Sequence, residues 1–354
     1  MLTSARRLRH AATWSALVLA ASVSHATCGR NAERSTLPER LTDEQFWDLS
    51  TRLSEPAGPF AHSENLVSNE PFFVHAIRML RPAGGVYIGV GPEQNFSYIA
   101  GLRPEMAFII DIRRENRNLH LLYKALFELS DDRAEFLSRL FSRARPTGVA
   151  SGASVEDLFT AYAQSQPDSR IYDENLRVVR ERLLDVHGFA LVSQDLEWIG
   201  YTLRAFYSDG PQIHYGRLRP RDAPGPSYRV LMTARDVAGQ SRSFLASENG
   251  FGFVKGLHAR NLIVPVVGDF SGPHAIRRTA EYIRQHHAIV SGFYGSNVEV
   301  YLIREARRAF CNSLGTLPHD STSWFIGSKS VERLESKMKS CAPGPPHPTW
   351  TPPK

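Results

Sequence analysis

"VYIGVGPEQNFSYIAGLRPEMAFIIDIRREN", residues 86–116, decides how this chain reads. An apolar run ends on two glycines, Gly89 and Gly91. A short polar turn follows, and a helical pattern starts near Asn95. A second apolar run, "MAFIID", ends on Asp111, 22 residues after Gly89. Strand, glycine turn, helix, strand and terminal carboxylate make up the opening unit of a nucleotide-binding α/β sheet. Glycine lets the backbone turn sharply and approach a ligand closely. The free N–H groups of the next helix aim at the same place. A carboxylate at the end of the second strand accepts hydrogen bonds from ribose hydroxyls. On this pattern Gly89, Gly91, Glu93, Asn95 and Asp111 are the candidate cofactor contacts, with Glu93, Gln94 and Asn95 facing the ligand from the turn. The structural alternatives are tight strand-to-helix packing for the glycines, plain turn roles for residues 93–95, and a helix cap for Asp111.

Outward from this unit, "TDEQFWDLSTRLS" (42–54) predicts a helix capped by Thr42, and 69–85 a helix that stops before Pro82. Apolar spacing of three and four predicts helices over 118–130, 131–143, 154–164, 175–188 and 193–210, with Ser154 and Ser193 as N-caps. Strands are expected at 228–236, at 242–247 ending near Glu248, at 261–270 and from 288. The run "NLIVPVVGDF" suits a strand buried on both faces. This alternation predicts an α/β fold, a doubly wound, mostly parallel sheet with a helical insertion. The expected organisation is a signal peptide (1–26), an N-terminal helical arm (27–75), a first half of the core (76–130) and the insertion (131–210). A second half of the core (211–330) and a proline-rich tail (331–354) complete it.

A dinucleotide fingerprint would place a third glycine at position 94, where Gln94 stands, and Glu93 adds negative charge at the helix start. Both argue against NAD or FAD. Residues 87–93, Tyr-Ile-Gly-Val-Gly-Pro-Glu, instead resemble the first motif of the class I S-adenosylmethionine-dependent methyltransferases. Two glycines match; Tyr87 replaces the leading acid and Glu93 the third glycine. Asp111 stands at the place of the ribose-binding acid, and Asp269 in "VVGDF" at a strand end that often carries a polar residue facing substrate or cofactor. The wider segments "GVGPEQNFSYIAGLRPEMAFIIDIRRENRNLHLLYKALFE", "NLIVPVVGDFSGP" and "FYGSNVEVYL" resemble an uncharacterised family of bacterial proteins with a methyltransferase-like core, over about 75–330. The resemblance implies a methyltransferase-like fold, S-adenosylmethionine as cofactor and an unknown methyl acceptor.

Ligands of open α/β sheets bind at the carboxyl ends of the strands. The small-molecule cleft is therefore expected at the strand ends carrying Gly89, Asp111, Glu248, Asp269 and Ser296. The polar insert "GSNVE" (295–299) adds Asn297 and Glu299. Asp269 and Glu299 are the candidate catalytic bases, for an acceptor that must lose a proton. Helix capping is the rival role for Asp269, and a turn with a helix cap the rival for Asn297 and Glu299.

Arg6, Arg7 and Arg9, a short apolar run (11–23) and Ser24-His25-Ala26 form the three-part pattern of an export signal. The expected location is periplasmic or secreted, with an uncleaved N-terminal membrane anchor as the alternative. No later run approaches the ~20 apolar residues of a span. The net charge is +6, and +3 without the three arginines of the signal. Basic residues are scattered, so no nucleic-acid footprint appears. Of three cysteines, Cys311 and Cys341 flank the C-terminal segment and could staple it, with Cys28 left over; the sequence leaves the pairing open. Neither CxxC nor HExxH occurs, so a metal site is not expected. Neither G-x-S-x-G nor a core cysteine supports a nucleophilic hydrolase. Two functions remain: a methyltransferase-like enzyme, and a non-catalytic exported protein that keeps the fold and binds another small ligand or a protein partner.

Overall fold

The computed structural model describes residues 35–60, 65–150, 152–216 and 225–341. The signal segment, Cys28 and residues 342–354 lie outside them.

Helix α1 (Asp43–Leu53) begins at a capping box: Gln45 N–H donates to the Thr42 hydroxyl at 3.1 Å, and Thr42 N–H donates to the Gln45 side chain at 2.9 Å. Helix α2 (Phe73–Met79) leads to β1 (Val86–Gly89), α3 (Gln94–Leu102) and β2 (Met106–Asp111). The quoted stretch thus folds as its pattern dictates. Both strands are buried along their whole length.

A long helical block follows: α4 (Arg114–Leu129), α5 (Arg133–Phe141), α6 (Val155–Gln164), α7 (Ser169–Glu181) with a π turn at Arg182–Val186, and α8 (Ser193–Asp209). Ser154 caps α6 as expected, taking the Asp157 N–H at 3.1 Å. Ser193 does not cap α8. Val192 holds the cap position, and its N–H donates to the Asp195 carboxylate at 3.1 Å.

The strands expected at 228–236 and 242–247 are absent. Residues Tyr228–Met232 form helix α9, because the Ser227 hydroxyl takes the Val230 N–H and the apolar residues Tyr228, Leu231 and Met232 recur at helical spacing. Residues 242–247 are irregular, turn and bend, and just before them Ser241 makes an isolated bridge to Arg235. Ser247 then caps α10 (Glu248–Ala259). Glu248 therefore opens a helix instead of closing a strand, and its carboxylate holds Arg133 at 2.7 Å. Among the described residues, the regular elements between α4 and the next strand are thus all helical, well beyond residue 210.

The sheet resumes with β3 (Ile263–Val267), then α11 (Ala275–Gln285), β4 (Val290–Ser296), a 3-10 turn at Val298–Tyr301, α12 (Arg304–Leu314), β5 (Trp324–Gly327), β6 (Val331–Arg333) and α13 (Leu334–Cys341). Residues 331–341, assigned from sequence to the proline-rich tail, form β6 and α13. Leu334 is fully buried, and a Cys311–Cys341 disulfide ties α13 to α12.

The six strands run in the order β3-β2-β1-β4-β5-β6; the first five are parallel and β6 is antiparallel. The protein is therefore an α/β fold with a mostly parallel sheet. Strand order reverses at β1, which pairs with β2 on one side and β4 on the other. The β3 edge carries Pro265, tolerated where no ladder partner is needed. Helix α1 covers this edge: Ser50 donates to the Pro265 carbonyl, and Val267 N–H donates to Ser54 at 2.9 Å. Phe96 of α3 meets Phe127 and Phe244 edge-on at 5.3 and 5.5 Å, locking the first βαβ unit to the helical block.

Candidate functional site

A cleft of about 310 Å³ opens at the carboxyl ends of β1, β2, β3 and β4. Gly91, Asp111, Asp269, Ser296 and Asn297 line it. Gly89, Glu93, Asn95 and Glu299 do not, and each departure has a physical cause.

Gly89 is required by packing. A Cβ there would fall 1.9 Å from the Asn95 side-chain oxygen. Asn95 is fully buried and stitches the turn together: it accepts from Tyr87 Oη at 2.9 Å and donates to the Val90, Gly91 and Pro92 carbonyls at 3.0, 3.1 and 2.7 Å. Tyr87, at the place of the missing acid, thus spends its hydroxyl inside the protein. Glu93 is also fully buried, facing the Ser68 N–H at 3.1 and 3.2 Å. Burial pushes its carboxyl up to about 8, so at neutral pH it is protonated and puts no charge at the helix start. Gln94 turns inward as well, accepting from Ser68 Oγ at 2.6 Å and donating to Tyr98 and Tyr294 at 3.2 Å.

Gly91 behaves differently. Its φ is +77°, and nothing lies within 4 Å of where a Cβ would stand. Its carbonyl accepts a hydrogen bond from His120 Nε2 at 2.9 Å. Burial pushes His120 down to about 4, so this imidazole is neutral and carries its hydrogen on Nε2. Gly91 is thus the one glycine of the motif that opens onto the cleft.

At the end of β2, both oxygens of Asp111 face Arg113. Oδ1 accepts from the backbone N–H at 2.9 Å and from Nε at 3.0 Å, and Oδ2 accepts from Nη2 at 3.0 Å. Arg113 lines the cleft too. At the end of β3, Asp269 Oδ1 accepts from Ser271 N–H at 2.8 Å and Ser271 Oγ at 2.9 Å, a local turn. It does not cap α11; Glu55 does, accepting from His274 and Ala275 N–H at 2.6 and 2.5 Å. At the end of β4, Ser296 sits at φ +50° and donates to Glu70, whose other oxygen accepts from Tyr294 Oη at 2.7 Å. Glu299 faces Lys337 and Arg307 and is not poised over the cleft.

Two charged residues are among the lining that sequence reasoning missed, Arg113 and Glu70. Arg113 carried a usable signal, since an Asp-x-Arg spacing at a strand end suits a local ion pair. Glu70 carried none: it is 226 residues from Ser296 and reaches β4 only through the fold. Among the described residues, no group of three or more His, Cys, Asp or Glu could hold a metal ion, and no helix is long and apolar enough to cross a membrane.

No curated protein matches the chain. A family model described as Domain of unknown function (DUF7790) matches residues 66–199 and 226–343, well over half of the sequence and nearly all of the cleft, and the chain belongs to that family.

Proposed function

We propose that the protein is a doubly wound, methyltransferase-like protein that binds an adenosyl ligand of the S-adenosylmethionine type in the cleft. The observation that carries this reading is the convergence of four parallel strand ends on one cavity where strand order reverses, with Gly91 open to it and Asp111 on its wall. The two departures from the methyltransferase motif do not argue against it. Tyr87 and Glu93 both turn into the protein, and the neutral Glu93 repels nothing. S-adenosylmethionine would supply an electrophilic methyl group on a sulfonium. Gly91 would leave room for the nucleoside, Asp111 would accept from its ribose, and the strand ends would orient it and exclude water. Asp269 remains the candidate base, since Lys337 and Arg307 hold Glu299 off the cleft. We also place the protein outside the cytoplasm, on the N-terminal signal pattern and on the Cys311–Cys341 disulfide, which suits an oxidising compartment.

The Asp111–Arg113 pairing favours a second reading, a non-catalytic protein that keeps the fold and binds another small ligand. Calorimetric titration with S-adenosylhomocysteine and S-adenosylmethionine tests the choice. Micromolar binding that is weakened in a folded Asp111→Asn variant, and in Gly91→Ala, supports the adenosyl reading. No binding to folded wild-type protein removes it and leaves the second.

A further inference from the structure

In a chain of net charge +6, the cleft is acidic. Its guanidinium, Arg113, is paired with Asp111. Two lining carboxylates, Glu70 and Asp269, have no ion-pair partner among the described residues. Glu70 accepts only from hydroxyls, those of Tyr294 and Ser296. Asp269 uses Oδ1 for Ser271. Withdrawing a carboxylate from water without a cation is costly, and burial pushes the Glu70 carboxyl up. A positively charged ligand would remove that cost.

The rest of the lining specifies what kind of cation fits. Phe60 and Tyr301 meet edge-to-face at 5.4 Å on the cleft wall, beside Phe270 and Leu302. Arg113 already lies over the Phe60 ring, 5.7 Å from its centroid, so this ring accepts a cation. An inorganic ion wants several oxygen ligands and keeps its water; an organic cation has diffuse charge and apolar substituents that suit these walls. Ser296 adds one more observation. A non-glycine residue at φ +50° is strained, and here the conformation holds its hydroxyl on Glu70.

We propose that the cleft selects a small organic cation, bearing an amine, quaternary ammonium or sulfonium group, and that Glu70 is the residue that selects it. This rests on reading the cleft as the ligand site, and it names the class of ligand.

The test titrates the full chain, at low ionic strength, with choline and with 3,3-dimethylbutan-1-ol, in which carbon replaces the charged nitrogen. Choline is expected to bind about tenfold or more tighter than its neutral isostere. Glu70→Gln keeps an acceptor for Tyr294 and is expected to abolish that preference while the melting temperature stays close to wild type. If Glu70→Gln does not fold, Asp269→Asn takes its place in the same comparison and is expected to reduce the preference. Equal binding of the two probes, no choline binding to folded protein, or an unchanged preference in the variant overturns the proposal. S-adenosylhomocysteine, neutral at sulfur, is titrated in parallel. Its binding without a choline preference sinks cation selection alone; a choline preference with binding of neither S-adenosylhomocysteine nor S-adenosylmethionine sinks the adenosyl reading alone.

Discussion

Arg113 closes over Asp111 from two positions along the chain, engaging both carboxylate oxygens through its backbone N–H, Nε and Nη2. The pair is buried, with side-chain exposures of 4% and 7%. The acid that a ribose would need is therefore already held, and any ligand must share it with a guanidinium. Removing one partner strands the other charge in a poor solvent. Arg113→Gln is expected to lower the free energy of unfolding by about 3–5 kcal/mol. Urea denaturation at neutral pH measures this, and a loss near zero would show that the pair is not formed in solution.

Glu93 sets a pH dependence of opposite sign to most carboxylates. Its folded-state value is raised from 4.5 to about 8 by burial. Between those values the folded state holds a proton that the unfolded chain has released. Stability from this group is thus full below about pH 4.5, falls as pH rises, by at most about 1.4 kcal/mol per pH unit, and levels off above about pH 8. Glu93→Gln keeps an acceptor for Ser68 and has no such slope. Its stability relative to wild type is expected to grow between about pH 5 and pH 8. A difference that stays constant across that range contradicts the assignment.

His187 bridges two carboxylates, with Nδ1 on Asp43 at 2.8 Å and Nε2 on Glu128 at 2.7 Å. It clamps the π turn to α1, which covers the sheet edge, and to α4. Burial opposes ionisation of both acids. Hydrogen bonds from Asn261 and His187 outweigh it at Asp43, and the His187 bond with the Lys124 charge outweighs it at Glu128, so each is held below its ordinary value. This stability is present above the ordinary values of 3.8 and 4.5 and is lost as pH falls through the lower folded-state ones. His187→Gln is expected to be less stable than wild type at about pH 5.5, with the gap shrinking toward about pH 3. Acid titrations of the two proteins followed by circular dichroism decide this; superimposable curves speak against the clamp.

The Cys311–Cys341 disulfide closes a segment with a sequence separation of 30. For a loop of that length the chain-entropy account expects about 3–4 kcal/mol of stabilisation. Reduction, or replacement of both cysteines by serine, is expected to lower stability by that order and to raise hydrogen exchange first in α13. Unchanged exchange there would mean that packing around Leu334 alone holds the helix.

Where a local pattern agreed with its environment, the fold was legible. Thr42 and Ser154 cap the helices expected of them, and the apolar runs ending at Gly89, Asp111 and Val267 are strands. Residues 228–247 misled because two serines, Ser227 and Ser247, act as helix caps. Over so short a run, an apolar pattern does not distinguish a helical turn from a strand.

The sequence by itself determined the strand–turn–helix–strand unit of 86–111, because periodicity and glycine act on neighbouring residues. It also placed Gly91, Asp111 and Asp269 at strand ends. Only the tertiary structure decided which polar residues of that unit meet the cleft. Glu93 and Gln94 point inward because the segment around Ser68 packs on the turn, supplying partners that water would otherwise supply. The same packing carries Glu70 to Tyr294 and Ser296. A polar side chain faces its hydrogen-bond partners, and when those partners lie hundreds of residues away, no local pattern can announce them.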